Sequence, residues 1–136
     1  MTPARLPQEI RPALDNGVPA LMVTCSANGI PNATVISKVY YVDETHVALS
    51  FQFFNKTIKN VRENPRAWVG VTDFGQQSDW ALDLEFDHSE QEGPIFDAMD
   101  MQIEAIASAS GMSGVFKLRA ADIYRVLAVQ KLPYQR

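Results

Sequence analysis

The sequence predicts a mainly β protein with helices: an antiparallel barrel of six or seven strands, flanked by two or three helices. Three observations lead there. Apolar runs of β type recur at short intervals along the 136 residues, with turn signals such as "ANG" and "DET" between them. Only two long segments, residues 55–64 and 94–108, place apolar side chains at helical spacing. The length and the 46% hydrophobic content suit one core rather than two, so residues 1–136 are read as a single domain led by a helix or arm at 1–17.

Residues 7–16 read as a short leading helix that "NG" at Asn16 and Gly17 ends. "ALMVTCS" (20–26) is the first strand, and "ANG" turns the chain. "IPNATVISKVYYVD" (30–43) is the second strand and "HVALSFQF" (46–53) the third. Short connections join the three, so an antiparallel meander is expected. The next segment, 55–64, is a helix: Asn55 is its N-cap, Ile58 and Val61 its apolar face, and "NP" at 64–65 its stop. "AWVGVTD" (67–73) resumes β character. "DWALDLEFDHS" (79–89) alternates Leu82, Leu84 and Phe86 with Asp83, Glu85 and Asp87, the period of a strand with one wet face. Pro94 opens the second long helix, whose Ile95, Met99, Ile103 and Ile106 should pack inward. "VFKLRAADIYRVLAVQKL" (115–132) supplies one final strand or a bent pair.

Charge narrows the function. The net charge is -4, and no Lys or Arg occurs from Ala67 to Phe116, where ten acids accumulate. A nucleic-acid partner needs an extended cationic footprint, which this distribution does not supply. No apolar stretch is long enough to span a bilayer, and "MTPARLPQEIRPALDNG" has neither signal-peptide nor transit-peptide character. Cys25 is the only cysteine, expected buried within its strand and inert, and a reducing cytoplasm is the simplest compartment.

Against this acidic background, "FQFFNKTIKNVRENPRA" (51–67) puts Lys56, Lys59, Arg62 and Arg66 just after a strand. A helix N-terminus presents unpaired N–H groups and the positive end of its dipole, which suits a phosphate. Lys56 and Thr57 would add an ammonium and a hydroxyl, and Ser37 and Lys38 on the second strand a further pair. The same cations equally describe a solvated helix face, and spacing alone leaves the two readings even. Phe51, Phe53, Phe54, Tyr40 and Tyr41 could wall a planar ring or belong to core and dimer contacts, and the Gln52 amide could read a ring edge. Asp83, Glu85 and Asp87 are too splayed along a strand for a metal, so a solvated face is expected. His46 and His88 stand alone. Ser26 and Ser50 lack a nucleophile elbow, and neither a P-loop nor a dinucleotide fingerprint is present.

Three segments, "GIPNATVISKVYYVD", "ALSFQFFNKTIKNVRENPRAWVGV" and "GVFKLRAADIYRVLAV", resemble in order and spacing the pyridoxamine 5'-phosphate oxidase-like family, the FMN-binding split barrels. The resemblance is to the family and not to the true oxidase, since the chain is shorter and lacks that enzyme's basic C-terminal set. It implies a split β-barrel and a homodimer with FMN in a groove between subunits. Val35, Ile36, Ser37 and Lys38 would line the flavin, as would Ser50, Phe51 and Gln52. Asn55, Lys56 and Thr57 fall where the family holds the phosphate, with Lys-Thr in place of the frequent Arg-Lys pair. The implied function is an oxidoreductase acting on a small-molecule substrate, with Lys38 a donor to the ring edge. The alternatives are a flavin store or redox sensor without a substrate, or the same fold holding F420 or haem.

Overall fold

The computed structural model describes residues 4–17, 19–51, 55–109, 111–112, 114 and 118–133, with the side chains of residues 51, 55–58 and 106 outside that set. A 3-10 turn (Gln8–Ile10) leads into α1 (Arg11–Asn16), with a proline in its first turn, where the missing N–H costs nothing. The strands β1 (Ala20–Cys25), β2 (Pro31–Ile36), β3 (Tyr40–Asp43) and β4 (His46–Phe51) follow. Next come α2 (Asn55–Glu63), β5 (Arg66–Asp73), β6 (Ser78–Glu90), α3 (Pro94–Ala109) and β7 (Ala120–Leu132). The final segment is one strand. All seven strands belong to one antiparallel sheet in the order β2-β1-β5-β6-β7-β4-β3.

This order corrects the expected meander. The run 30–43 is not one strand: it breaks at residues 37–39, and its halves form opposite edges of the sheet. β2 pairs with β1, and β3 with β4. Burial explains the break. Ile36 and Val39 both enter the core, three residues apart, whereas a continuous strand returns to the same face every second residue. The edges β2 and β3 do not pair with each other, so the curled sheet is a split barrel.

The interior is filled from every wall, with Met22, Ile36, Val47, Leu49, Val69, Leu82, Leu84 and Val126 in one cluster. Ile10 and Leu14 enter it at the end where β1 begins, and Val61 of α2 at the end where β1 finishes. The two short helices therefore plug opposite ends. α3 lies outside, its Met99 and Ile103 packed on Tyr40, Ala48, Ala121 and Ile123. On β6, Leu82 and Leu84 are buried while Asp83 and Asp87 are exposed, as the alternation requires. Register shifts at Asp83/Leu84 and Phe86/His88 then bend the long β6–β7 pair around the core. Among the described residues, no helix is long and apolar enough to cross a membrane.

Gly17 ends α1 for a reason beyond the helix stop. Its N–H donates to Ala13 O at 2.7 Å. A Cβ on it would stand 2.2 Å from Val71 Cγ1 and 2.6 Å from Ala13 O. A methyl group does not fit between the plug and the wall. Gly17→Ala is expected to destabilise the fold by about 1–3 kcal/mol, the usual cost of overpacking. A denaturant midpoint equal to that of the parent protein would show that α1 is not seated this tightly.

Candidate functional site

The candidate site grows from the β4–α2 connection. β4 ends at Phe51, opposite Ala120 of β7, and α2 opens at Asn55. The first turn of α2 holds no acidic residue, and Arg62 lies in its last turn. α2 returns the chain to β5 through Asn64 and Pro65. Val61 is buried in the core, while Lys59, Arg62 and Glu63 face outward. Beside Val61 stands Asn60, 3% exposed, whose Nδ2 donates to Oγ1 of Thr24, itself 2% exposed, at 3.2 Å.

The same end of the barrel holds a half-buried carboxylate. Burial raises the Asp122 carboxyl above the usual carboxylate range, and Ser89 Oγ, donating at 2.6 Å, and the nearby Arg62 charge oppose the rise. Tyr124 beneath it is pushed far above an ordinary phenol, first by burial and then by the Asp122 charge. Its ring meets Phe86 edge-on with centroids 5.5 Å apart.

The sequence-predicted residues fall into two groups. Ser50, buried at the end of β4, and Phe51 adjoin the first turn of α2, where the backbone of Asn55, Lys56 and Thr57 is helical. The side chains of Phe51, Asn55, Lys56 and Thr57 lie outside the described residues, as do Gln52, Phe53 and Phe54 entirely. The second group follows β2. Val35 points outward and is 59% exposed, paired with Leu21, while the Ile36 side chain enters the core and leaves only its backbone for a ligand.

Ser37 and Lys38 lie in the break between β2 and β3 rather than within a strand. The Lys38 side chain is 13% exposed, and its ammonium donates to Gln102 Oε1 of α3 at 2.8 Å and Asp15 Oδ1 of α1 at 3.4 Å. It also sits 5.3 Å from the centroid of the Tyr40 ring. To meet a ligand, Lys38 must exchange one of these partners. Ser37 Oγ and Tyr40 Oη are buried without a well-directed hydrogen bond to a described atom. Burial raises the Tyr40 phenol, and the nearby Ser37 hydroxyl partly offsets that rise.

Cys25 departs from expectation: it ends β1 and is half-buried, lining a cavity of about 330 Å³ with Arg66, Trp68 and Asp83 on the outer sheet face. Trp68 lies over Gly70, where a Cβ would approach the indole to 2.6 Å. Asn60, Thr24 and Gln102 escaped the sequence reading. Asn60 left one signal, a polar side chain beside Val61 on the inward face of α2. Gln102 left none, because its partner Lys38 is 64 residues away.

The acidic strand face is an ion-pair surface: Glu85 pairs with Arg125, and His88 bridges Asp87 Oδ2 at 2.5 Å and Glu90 Oε2 at 2.8 Å. Hydrogen bonds to Glu90 and then Asp87 raise the His88 imidazole above its usual value. Its contribution to stability is therefore complete below the unfolded pKa of about 6.5 and fades as pH rises through the higher folded value. In NMR titrations His88 should titrate above a denatured reference, and His88→Gln should remove that part of the pH dependence. Titration at or below the reference would show that the bridge does not persist in solution.

With this geometry in hand, comparison with known proteins places the chain. The pyridoxamine 5'-phosphate oxidase family profile matches residues 6–126. The chain belongs to that family. All the predicted site residues fall inside the matched span. Among the solved structures that share this fold are the following three. An FMN-binding protein from Syntrophomonas wolfei subsp. wolfei is 16% identical over 94% of this chain and 91% of its own, with a TM-score of 0.72. An F420 reductase is 10% identical over 92% and 98%, with a TM-score of 0.64. The haem storage protein HutZ from Vibrio cholerae is 14% identical over 93% and 94%, with a TM-score of 0.61. At such identities the likeness establishes the fold. No curated protein matches the sequence.

Proposed function

We propose that the protein binds FMN and is an oxidoreductase acting on a small molecule, working as a homodimer with the flavin in a groove between subunits. The observation that carries this reading is the placement of α2. A helix of nine residues opens just beyond the end of β4, without an acid in its first turn, where the family resemblance puts the phosphate. Its free N–H groups and dipole favour an anion, and Lys56 and Thr57 add charge and a hydroxyl. Asn55, Lys56 and Thr57 would hold the phosphate. Ser50, Phe51 and Gln52 would border the ring system, with Val35, Ile36, Ser37 and Lys38 along its other side. FMN would supply the electron-accepting chemistry, and the chain would position it and exclude water. The single cysteine suits a reducing cytoplasm.

The test is an absorption spectrum of protein purified without added cofactor, repeated after FMN addition and desalting. About one retained FMN per subunit is expected, and Lys56→Glu should weaken FMN binding more than about tenfold by replacing attraction with repulsion. A haem or F420 spectrum instead would overturn the choice of cofactor. Undiminished affinity in Lys56→Glu would return the cations of α2 to a solvated face.

The dimer has its own support. Leu21, 41% exposed, is paired with the exposed Val35, and both point outward from the β1–β2 sheet edge, beside the flat indole of Trp68. Sedimentation should report a dimer, and Leu21→Glu should shift it toward monomer while lowering FMN occupancy. A monomeric parent protein with full FMN occupancy would exclude the shared groove.

A further inference from the structure

We propose that the buried Asn60–Thr24 hydrogen bond is a positioning device for the phosphate site, fixing α2 so that its first-turn N–H groups converge on the anion. The proposal rests on the FMN reading and adds residues to it that touch no ligand. Asn60 and Thr24 are both more than nine-tenths buried, and their bond joins the helix to the end of β1. Among the described side chains, the rest of the seat of α2 is the apolar packing of Val61 and the attraction between Arg62 and Asp122.

Apolar packing holds a helix against a barrel end but is non-directional, so it tolerates sliding and rotation. A buried amide–hydroxyl bond does not, because displacement leaves polar groups unpaired away from water. Asn60 lies five residues beyond Asn55, roughly 7.5 Å along the axis. Any slip permitted at Asn60 therefore carries the first-turn amides with it, and a site built from fixed donors loses affinity when they move. Val61 packing and the Arg62–Asp122 attraction, neither of them directional, account for the attachment of α2. Asn60 and Thr24 account for where the attached helix points.

Riboflavin, which is FMN without its phosphate, separates positioning from general weakening. In the full-length protein, Asn60→Ala should raise the Kd for FMN about tenfold, the lower end of what loss of a supporting hydrogen bond costs at other sites. The Kd for riboflavin should stay close to the parent value. Thr24→Val, nearly isosteric and without the hydroxyl, should reproduce this selective loss if Asn60→Ala folds poorly, and Thr24→Ser should restore FMN binding. Parallel weakening of both flavins, or an unchanged FMN-to-riboflavin ratio in folded variants, would overturn the positioning role while leaving FMN binding intact. A parent protein that binds both equally would likewise overturn it. A parent protein that binds neither would remove the FMN reading itself, and this proposal with it.

Discussion

The barrel depends on one constraint, the break in the chain at residues 37–39. Ile36 and Val39 must both reach the interior, yet they are three residues apart, so the strand cannot run straight through them. Breaking there sends β2 to one edge of the sheet and β3 to the other. The edges stay unpaired, and the barrel stays split. Such edges normally invite association, and here one of them carries the outward-facing Val35.

The helices settle into what the split leaves open. α1 and α2 close the two ends, and α3 covers the outer face of β3, β4 and β7. The break also fixes Lys38, whose ammonium ties α1 to α3 through Asp15 and Gln102 across the gap. A residue that looks like an anion ligand is thus a brace as well. A ligand role would compete with the brace for one charge, because a largely buried ammonium cannot leave its acceptors without a comparable partner.

The electrostatic division of the chain has a structural counterpart. β6 and α3 carry half of the 16 acids, several of them engaged with His88, Arg125 or neighbouring groups. α2, at the opposite mouth from α1, carries three of the 12 cations: Lys56, Lys59 and Arg62. Asp122 is a half-buried acid near Arg62, and that proximity ties the basic helix to the barrel without placing an acid in the first turn.

The family, the helix boundaries and the alternation of β6 were legible in the sequence because they arise from local spacing: Leu82 and Leu84 against Asp83, Asn55 before a helix, Pro65 after it. The sheet order was not legible, since short connections favour a meander and only the shared burial of Ile36 and Val39 reveals the break. Nor were the partners of Asn60 and Lys38, which lie 36 and 64 residues away in sequence. Apart from the break at residues 37–39, local chemistry by itself determined which segments are strands, which are helices, and where positive charge gathers. Tertiary structure alone decided which strands meet and which polar side chains are buried against one another, because those depend on how the curled, split sheet folds distant residues into contact.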